Sequence, residues 1–303
     1  MACRVEHPRT FLQEGIWIDS MKDQDLLREF LKADKSDYAV PAFNFNDIWD
    51  MGAIIAAAEQ EKSPVMLMAV PRVMRCIGLE AGTAMVKAAA EKASVPVFLH
   101  LDHCNEVDYC KACVDAGFPS VMIDASAFPL KENIRMVKEV CDYAHRHGAY
   151  VEAELGRVMG NNEEGCYEGE DYLIQVSDAV ALVKETGVDC LAVGIGTAHG
   201  FYKGKPKIHF DRLEEINATV SIPLVLHGGT GIPVEDFHRA IDNGIDKVNI
   251  GAALRYAYIM GLKPLLAEAE PTAHPLDIHA SARDNIKLAA AEGIRSVRAS
   301  GRG

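Results

Sequence analysis

Histidine, aspartate and glutamate recur at the ends of short β-rich runs in this chain. His100-Leu101-Asp102-His103 closes one run, Ile123-Asp124 the next and Glu152-Ala153-Glu154 a third, while Gly196-Thr197-Ala198-His199-Gly200, His227-Gly228-Gly229 and Asn249 follow three more. An isolated histidine is ordinarily a hydrogen-bonded core or surface residue, but His103, His199 and His227 share one kind of position, and the last two precede glycine. Three neutral imidazoles suit a borderline divalent ion such as Zn²⁺, and three protein ligands leave coordination positions open to a substrate. Asp102 adjoins His103, so its carboxylate would sit beside whatever the ion binds and serve as acid or base. Asp124 and Glu154 are expected to orient the ligand histidines or to hold the ion in an alternative position. The run Gly228-Gly229-Thr230-Gly231 offers backbone N–H groups to an anion just before a helix, and Lys203, four residues after His199, supplies a cation.

The elements that position these residues alternate. β-rich runs at 39–45, 65–70, 97–101, 121–124, 151–155, 190–195, 224–227 and 247–250 are separated by helical patterns beginning near Asp47, Leu79, Glu106, Lys131, Ser177, Phe210, Val234 and Ala252. Strict βα alternation demands parallel strands, and eight units predict an α/β chain folded as a single (β/α)8 TIM barrel, whose chemistry lies at the C-terminal strand ends. Residues 39–270 form the expected barrel. Residues 1–38 are expected to add an N-terminal segment with a capping helix over 23–31. Residues 271–303 are expected to add a C-terminal helix over 281–297 and a loose Ser-Gly-Arg-Gly tail. Between Gly156 and Leu173 runs a polar, acidic insert too long for an ordinary connection, and such loops are usually functional.

Composition narrows the partners. Over 303 residues, 31 Lys and Arg face 44 Asp and Glu, a net charge of −13 that disfavours nucleic acid and acidic membranes. The absence of a long apolar run and of a signal-like N-terminus leads us to expect a cytoplasmic protein with no membrane partner. Eight cysteines scattered through a chain of this size are read as reduced thiols, the Cys110/Cys113 pair included.

Seven segments then carry a resemblance: Pro41-Ala42-Phe43-Asn44, Leu99-His100-Leu101-Asp102-His103, Met122-Ile123-Asp124-Ala125-Ser126, Val151-Glu152-Ala153-Glu154-Leu155-Gly156, Gly196-Thr197-Ala198-His199-Gly200, Leu226-His227-Gly228-Gly229-Thr230-Gly231-Ile232-Pro233 and Lys247-Val248-Asn249-Ile250. Together, and in this order, they resemble the class II, zinc-dependent fructose-bisphosphate and tagatose-bisphosphate aldolases. The resemblance implies Zn²⁺ on His103, His199 and His227, and Asp102 as the acid/base acting on the C4 hydroxyl of a ketose. It implies Asn44 and Asn249 against substrate, and Gly200, Lys203, Gly228 and Thr230 around the phosphate of dihydroxyacetone phosphate, with Gly229 in the same run. It also implies a monovalent cation, Na⁺ or K⁺, near that phosphate, a homodimer or homotetramer, and a mobile-loop acid, for which the insert supplies Glu163 and Glu164.

The chain departs from the family at the phosphate and loop positions. Gly251, Ala252 and Ala253 stand where the family usually has an acidic residue or Ala and then a Thr, and Val70-Pro71-Arg72 stands where a Ser or Thr is usual. Ungapped, the family's loop acid falls on Asn162. Each lost hydroxyl weakens phosphate binding by about 1 kcal/mol, and Arg72 adds a bidentate cation able to replace them. The departures lead us to expect a substrate whose distal group differs from that of fructose bisphosphate, with Arg72 or Arg75 reading an anion. The leading expectation is a lyase releasing dihydroxyacetone phosphate and an aldehyde, such as glyceraldehyde 3-phosphate, from fructose 1,6-bisphosphate, with tagatose 1,6-bisphosphate or another ketose phosphate as the alternative. A sugar-phosphate-binding protein with reduced turnover is the competing class. A metal-dependent hydrolase on the same barrel is disfavoured by the lack of a His-x-His pair on the first strand.

Overall fold

The computed structural model describes residues 33, 37–158, 160 and 173–303. The expected helix over 23–31 and the loop residues Glu163 and Glu164 lie outside the described residues.

Eight parallel strands close into a barrel in chain order: β1 (Val40–Asn44), β2 (Val65–Ala69), β3 (Val97–Cys104), β4 (Ser120–Ile123), β5 (Tyr150–Leu155), β6 (Cys190–Val193), β7 (Leu224–Leu226) and β8 (Ile245–Ile250). β8 pairs with β1 through Val40 to Lys247 and Ala42 to Asn249, which completes the ring and leaves no open edge. Each strand is buried almost throughout, because helices cover the outside and side chains fill the inside. That is why the runs read as near-continuous apolar segments, and why a charged residue within one must face the barrel interior beside a partner.

The surrounding helices are α1 (Ile48–Glu61), α2 (Pro71–Ile77), α3 (Leu79–Lys92), α4 (Val107–Asp115), α5 (Leu130–Ala144), α6 (Val176–Thr186), α7 (Phe210–Asn217), α8 (Val234–Asp242), α9 (Ala252–Glu268) and α10 (Pro275–Ser296). Asp47 caps α1 in a capping box with Asp50, the first-turn acidic signal that the sequence displayed. Two elements extend the sequence reading. Pro71 starts α2 at a position where its missing N–H costs nothing, and Pro275 starts α10 six residues before the expected Ser281.

The C-terminal tail is not loose. Gly301 N–H donates to Glu61 O at 2.8 Å, Gly303 N–H to Lys62 O at 2.7 Å and Ser300 Oγ to Glu61 at 2.8 Å, so the tail satisfies the C-terminal carbonyls of α1. Glycines permitted that approach and also misled the reading, since a Gly-rich end looks unstructured when its partner lies some 240 residues away. Cys104, Cys110, Cys113, Cys141 and Cys190 are buried free thiols and Cys76 is an exposed one. Among the described residues, no helix is long and apolar enough to cross a membrane.

Candidate active site

β3 solves a geometric problem. Successive residues of a regular strand point to opposite faces, so Asp102 and His103 should not share a site. Between Leu101 and Cys104 the pairing with β4 slips by one residue, and His103 adopts φ 44°, a left-handed conformation that a β-carbon disfavours. The bulge turns both side chains into one cleft. His199 comes from the loop after β6 and His227 directly follows β7.

Close backbone packing joins those last two segments. A β-carbon on Gly228, which has φ 72°, would lie 2.5 Å from Ala198 O, so only glycine fits. Tyr202 then stitches the loops together, its hydroxyl accepting from Ala198 N–H and donating to Gly228 O, both at 2.9 Å. Tyr202→Phe leaves both backbone groups without that partner, at a cost of about 1.4 kcal/mol, and is expected to weaken divalent-metal binding about tenfold. A competition titration with a chromophoric chelator reads this, and unchanged affinity would remove Tyr202 from the site's scaffold.

The three imidazoles meet edge to face, with ring centroids 4.9 Å apart for His103 and His199, 4.7 Å for His103 and His227, and 6.0 Å for His199 and His227. One nitrogen from each lies within 4.8 Å of the other two, and a His103 nitrogen and one carboxylate oxygen each from Asp124 and Glu154 form a second such group. Proton accounting shows what the first group suits. His103 Nδ1 lies 2.9 Å from Asp124 Oδ2 and His227 Nε2 lies 2.7 Å from Glu152 Oε1, so in each ring the nitrogen best placed to carry the proton is the one facing a carboxylate. The remaining nitrogens, His103 Nε2 and His227 Nδ1, face each other at 2.9 Å as two lone pairs. That pair needs a cation between them, either a proton or a metal. A borderline divalent ion fits this donor set.

The electrostatics agree. Burial and the neighbouring imidazoles of His103 and His227 hold His199 well below the ordinary histidine value, so it stays a neutral donor. Burial opposes a charge on His103, yet Asp102 and Asp124 outweigh it and push the imidazole up to about 10. A site that attracts a proton so strongly attracts a divalent cation for the same reason. Burial alone would raise Asp102, but the imidazoles around it keep the carboxyl below its usual range, with Asn44 Nδ2 donating at 2.8 Å and Asn249 Nδ2 at 3.3 Å. Burial, reinforced by the Asp124 charge, pushes Glu154 up to about 8, and its Oε2 has no hydrogen-bond partner.

The structure brings most of the expected residues together. Asn44, Asp102, His103, His199 and Asn249 line a cleft with about 260 Å³ of empty space. Gly200, Gly228, Gly229 and Thr230 line the same cleft with Gly251 and Ala252. Thr230 Oγ1 also accepts from Ala253 N–H at 3.0 Å, pinning the first turn of α9 to the glycine run. Lys203 is exposed on the β6–α7 loop, and neither it nor Arg72, on the first turn of α2, lines this cleft. Arg75 is engaged elsewhere, bidentate on Glu106 at 2.8 and 2.9 Å and 4.4 Å above the Tyr109 ring.

Glu152, Lys247 and Tyr202 were missed in the sequence. Glu152 and Lys247 each stand two residues before a residue of the site, Glu154 and Asn249, and that parity puts each pair on one strand face. The spacing was a usable signal.

The profile of the family described as "Fructose-bisphosphate aldolase class-II" matches residues 24–302. The chain belongs to the class II fructose-bisphosphate aldolase family. It is 43% identical over 286 residues to a fructose-bisphosphate aldolase of Geobacillus stearothermophilus, covering 93% of this chain and 98% of that one. Among solved structures it is similar to the YdjI aldolase of Escherichia coli K12, with TM-score 0.80, 32% identity and 92% and 98% of the two chains covered. The fructose-bisphosphate aldolase Fba of Campylobacter jejuni shares the fold, with TM-score 0.77 at 21% identity over 93% and 96% of the chains. The aldolase is therefore a lyase acting on sugar phosphates, with ketose-bisphosphate cleavage as the supported activity, and the family's metal dependence matches the histidine cluster.

Proposed function

We propose that this aldolase uses one Zn²⁺ per subunit to cleave a ketose 1,6-bisphosphate, fructose 1,6-bisphosphate first among the candidates, into dihydroxyacetone phosphate and glyceraldehyde 3-phosphate. One observation carries the reading: three histidine nitrogens lie within 4.8 Å of one another in a cleft that Asp102 and a glycine run also line. His103 Nε2, His227 Nδ1 and His199 would hold the ion, which when bound supplies a Lewis acid for the enediolate charge left by C3–C4 cleavage.

The remaining work belongs to the chain's own groups. Asp102, kept ionised, takes the proton from the C4 hydroxyl, and Asn44 and Asn249 hold its two oxygens in place. Asp124 orients His103, and Glu154 sits 3.9 Å from His227 Nδ1, ready to hold the ion in an alternative position. Backbone N–H groups of Gly200 and Gly228, with the Thr230 hydroxyl, bind the phosphate next to the start of α9, aided by Lys203 and a monovalent cation, Na⁺ or K⁺, while the Gly229 N–H is taken by Asn249 O at 3.0 Å. Glu163 or Glu164 protonates the enediolate, and Arg72 reads the distal anion. The enzyme works in the cytoplasm as a homodimer or homotetramer. A patch of exposed apolar side chains on α9, Tyr256 at 56%, Ile259 at 57% and Leu266 at 58% exposed, supports an oligomer.

Dihydroxyacetone phosphate release is to be measured from fructose and tagatose 1,6-bisphosphates and the matching monophosphates. We expect turnover on a bisphosphate, with Arg72→Ala raising KM for it. Turnover on none of the four would overturn the assignment, and unchanged kinetics in the variant would remove Arg72 from it.

A further inference from the structure

One charged pair inside the barrel has no part in the cleavage steps above. Lys247 on β8 and Glu152 on β5 are both fully buried, and Lys247 Nζ lies 2.6 Å from Glu152 Oε2. Burying two charges is expensive, and apolar replacements of such pairs are often at least as stable, so fold stability is a weak reason for keeping one here. The geometry points to another reason. Glu152 uses its second oxygen, Oε1, on His227 Nε2 at 2.7 Å.

We propose that Glu152 and Lys247 are positioning residues that lock the tautomer of His227, keeping its proton on Nε2 so that Nδ1 presents a lone pair toward His103 Nε2. The proposal rests on the metal reading above. It matters because a second arrangement lies within reach. Asn249 Nδ2 is 3.1 Å from the same His227 Nε2, and if it donates there, the proton moves to Nδ1 and points at His103 Nε2, 2.9 Å away. That proton, bonded to His227 itself, would take away the Nδ1 lone pair. The carboxylate prevents this because a charge-assisted bond at 2.7 Å outcompetes a neutral one at 3.1 Å. Lys247 anchors the opposite oxygen and so fixes which way the carboxylate faces.

Glu152→Gln tests the lock without changing shape. Lys247 is donor-only and will claim the amide oxygen, which turns the amide N–H₂ toward His227 Nε2 and forces the histidine proton onto Nδ1. We expect ¹⁵N-histidine spectra of the metal-free protein to show His227 protonated at Nε2 in the wild type and at Nδ1 in the variant. We also expect Zn²⁺ affinity, measured by chelator competition, to fall about 10- to 100-fold. Adding Lys247→Met frees the amide to turn, and both readouts are expected to move back toward wild type. A loss of Zn²⁺ affinity with the Nε2 tautomer retained would mean a charge effect alone and would overturn the proposal, as would unchanged affinity. If Glu152→Gln does not fold, the wild-type spectrum still decides, because a proton on Nδ1 there contradicts the lock. Failure of the wild type to bind Zn²⁺ would strike the metal reading instead, leaving the tautomer measurement intact.

Discussion

Asp102→Asn is expected to lower kcat for ketose-bisphosphate cleavage by about 10²- to 10⁴-fold, the range for removing a positioned general base. The substitution keeps the size of the side chain and one acceptor oxygen for Asn44, whose amide donates to the carboxylate at 2.8 Å. It removes the only feature the step requires of Asp102, an ionised oxygen able to accept the C4 proton. Asp102 lies outside the two groups of potential metal ligands, so metal content should stay within a few-fold of wild type. Stopped assays of dihydroxyacetone phosphate release, run beside a metal determination, separate the two effects. A variant that turns over within tenfold of wild type would mean another group takes the proton.

Metal removal should be as severe. Dialysis against a strong chelator is expected to lower the cleavage rate by more than about 10³-fold, equivalent to about 4 kcal/mol of charge stabilisation at the enediolate. One equivalent of Zn²⁺ should restore it. The alternative way to stabilise the carbanion is a lysine Schiff base, and the buried Lys247 is engaged with Glu152 and does not line the cleft. Cleavage that survives the chelator with its rate intact would refute the metal mechanism. In the metal-free protein the His103 and His227 nitrogens, 2.9 Å apart, must share a proton, so rebinding should release protons into a weakly buffered solution.

How much of this was legible in one dimension varied by residue. The barrel was, because parallel strands covered on both faces must be apolar runs, and eight of them alternating with helices leave few alternatives. His199 and His227 were legible because each is tied to a following glycine at a strand end, and Gly228 is indispensable there for a reason of packing against Ala198. The pairing of Asp102 with His103 in one cleft was an expectation that local geometry argues against. It became possible through a one-residue slip against β4 and a left-handed His103, and both depend on long-range pairing. Arg72 was legible only as a cation following β2; the structure puts it on the first turn of α2, outside the residues that line the cleft, and its role is left to the Arg72→Ala kinetics.

The sequence by itself determined the repeating βα order, the strand ends at which polar residues gather, and the residue types able to bind a metal and move a proton. These follow from periodicity and side-chain chemistry, which are local. Only the tertiary structure decided which nitrogen of His103 and of His227 faces a carboxylate, because the carboxylates come from other strands: Asp124 on His103 and Glu152 on His227, the latter anchored by Lys247 from β8. A tautomer is set by the partner across a hydrogen bond, and closing the barrel is what puts residues 75 and 95 positions from Glu152 within reach of its two oxygens.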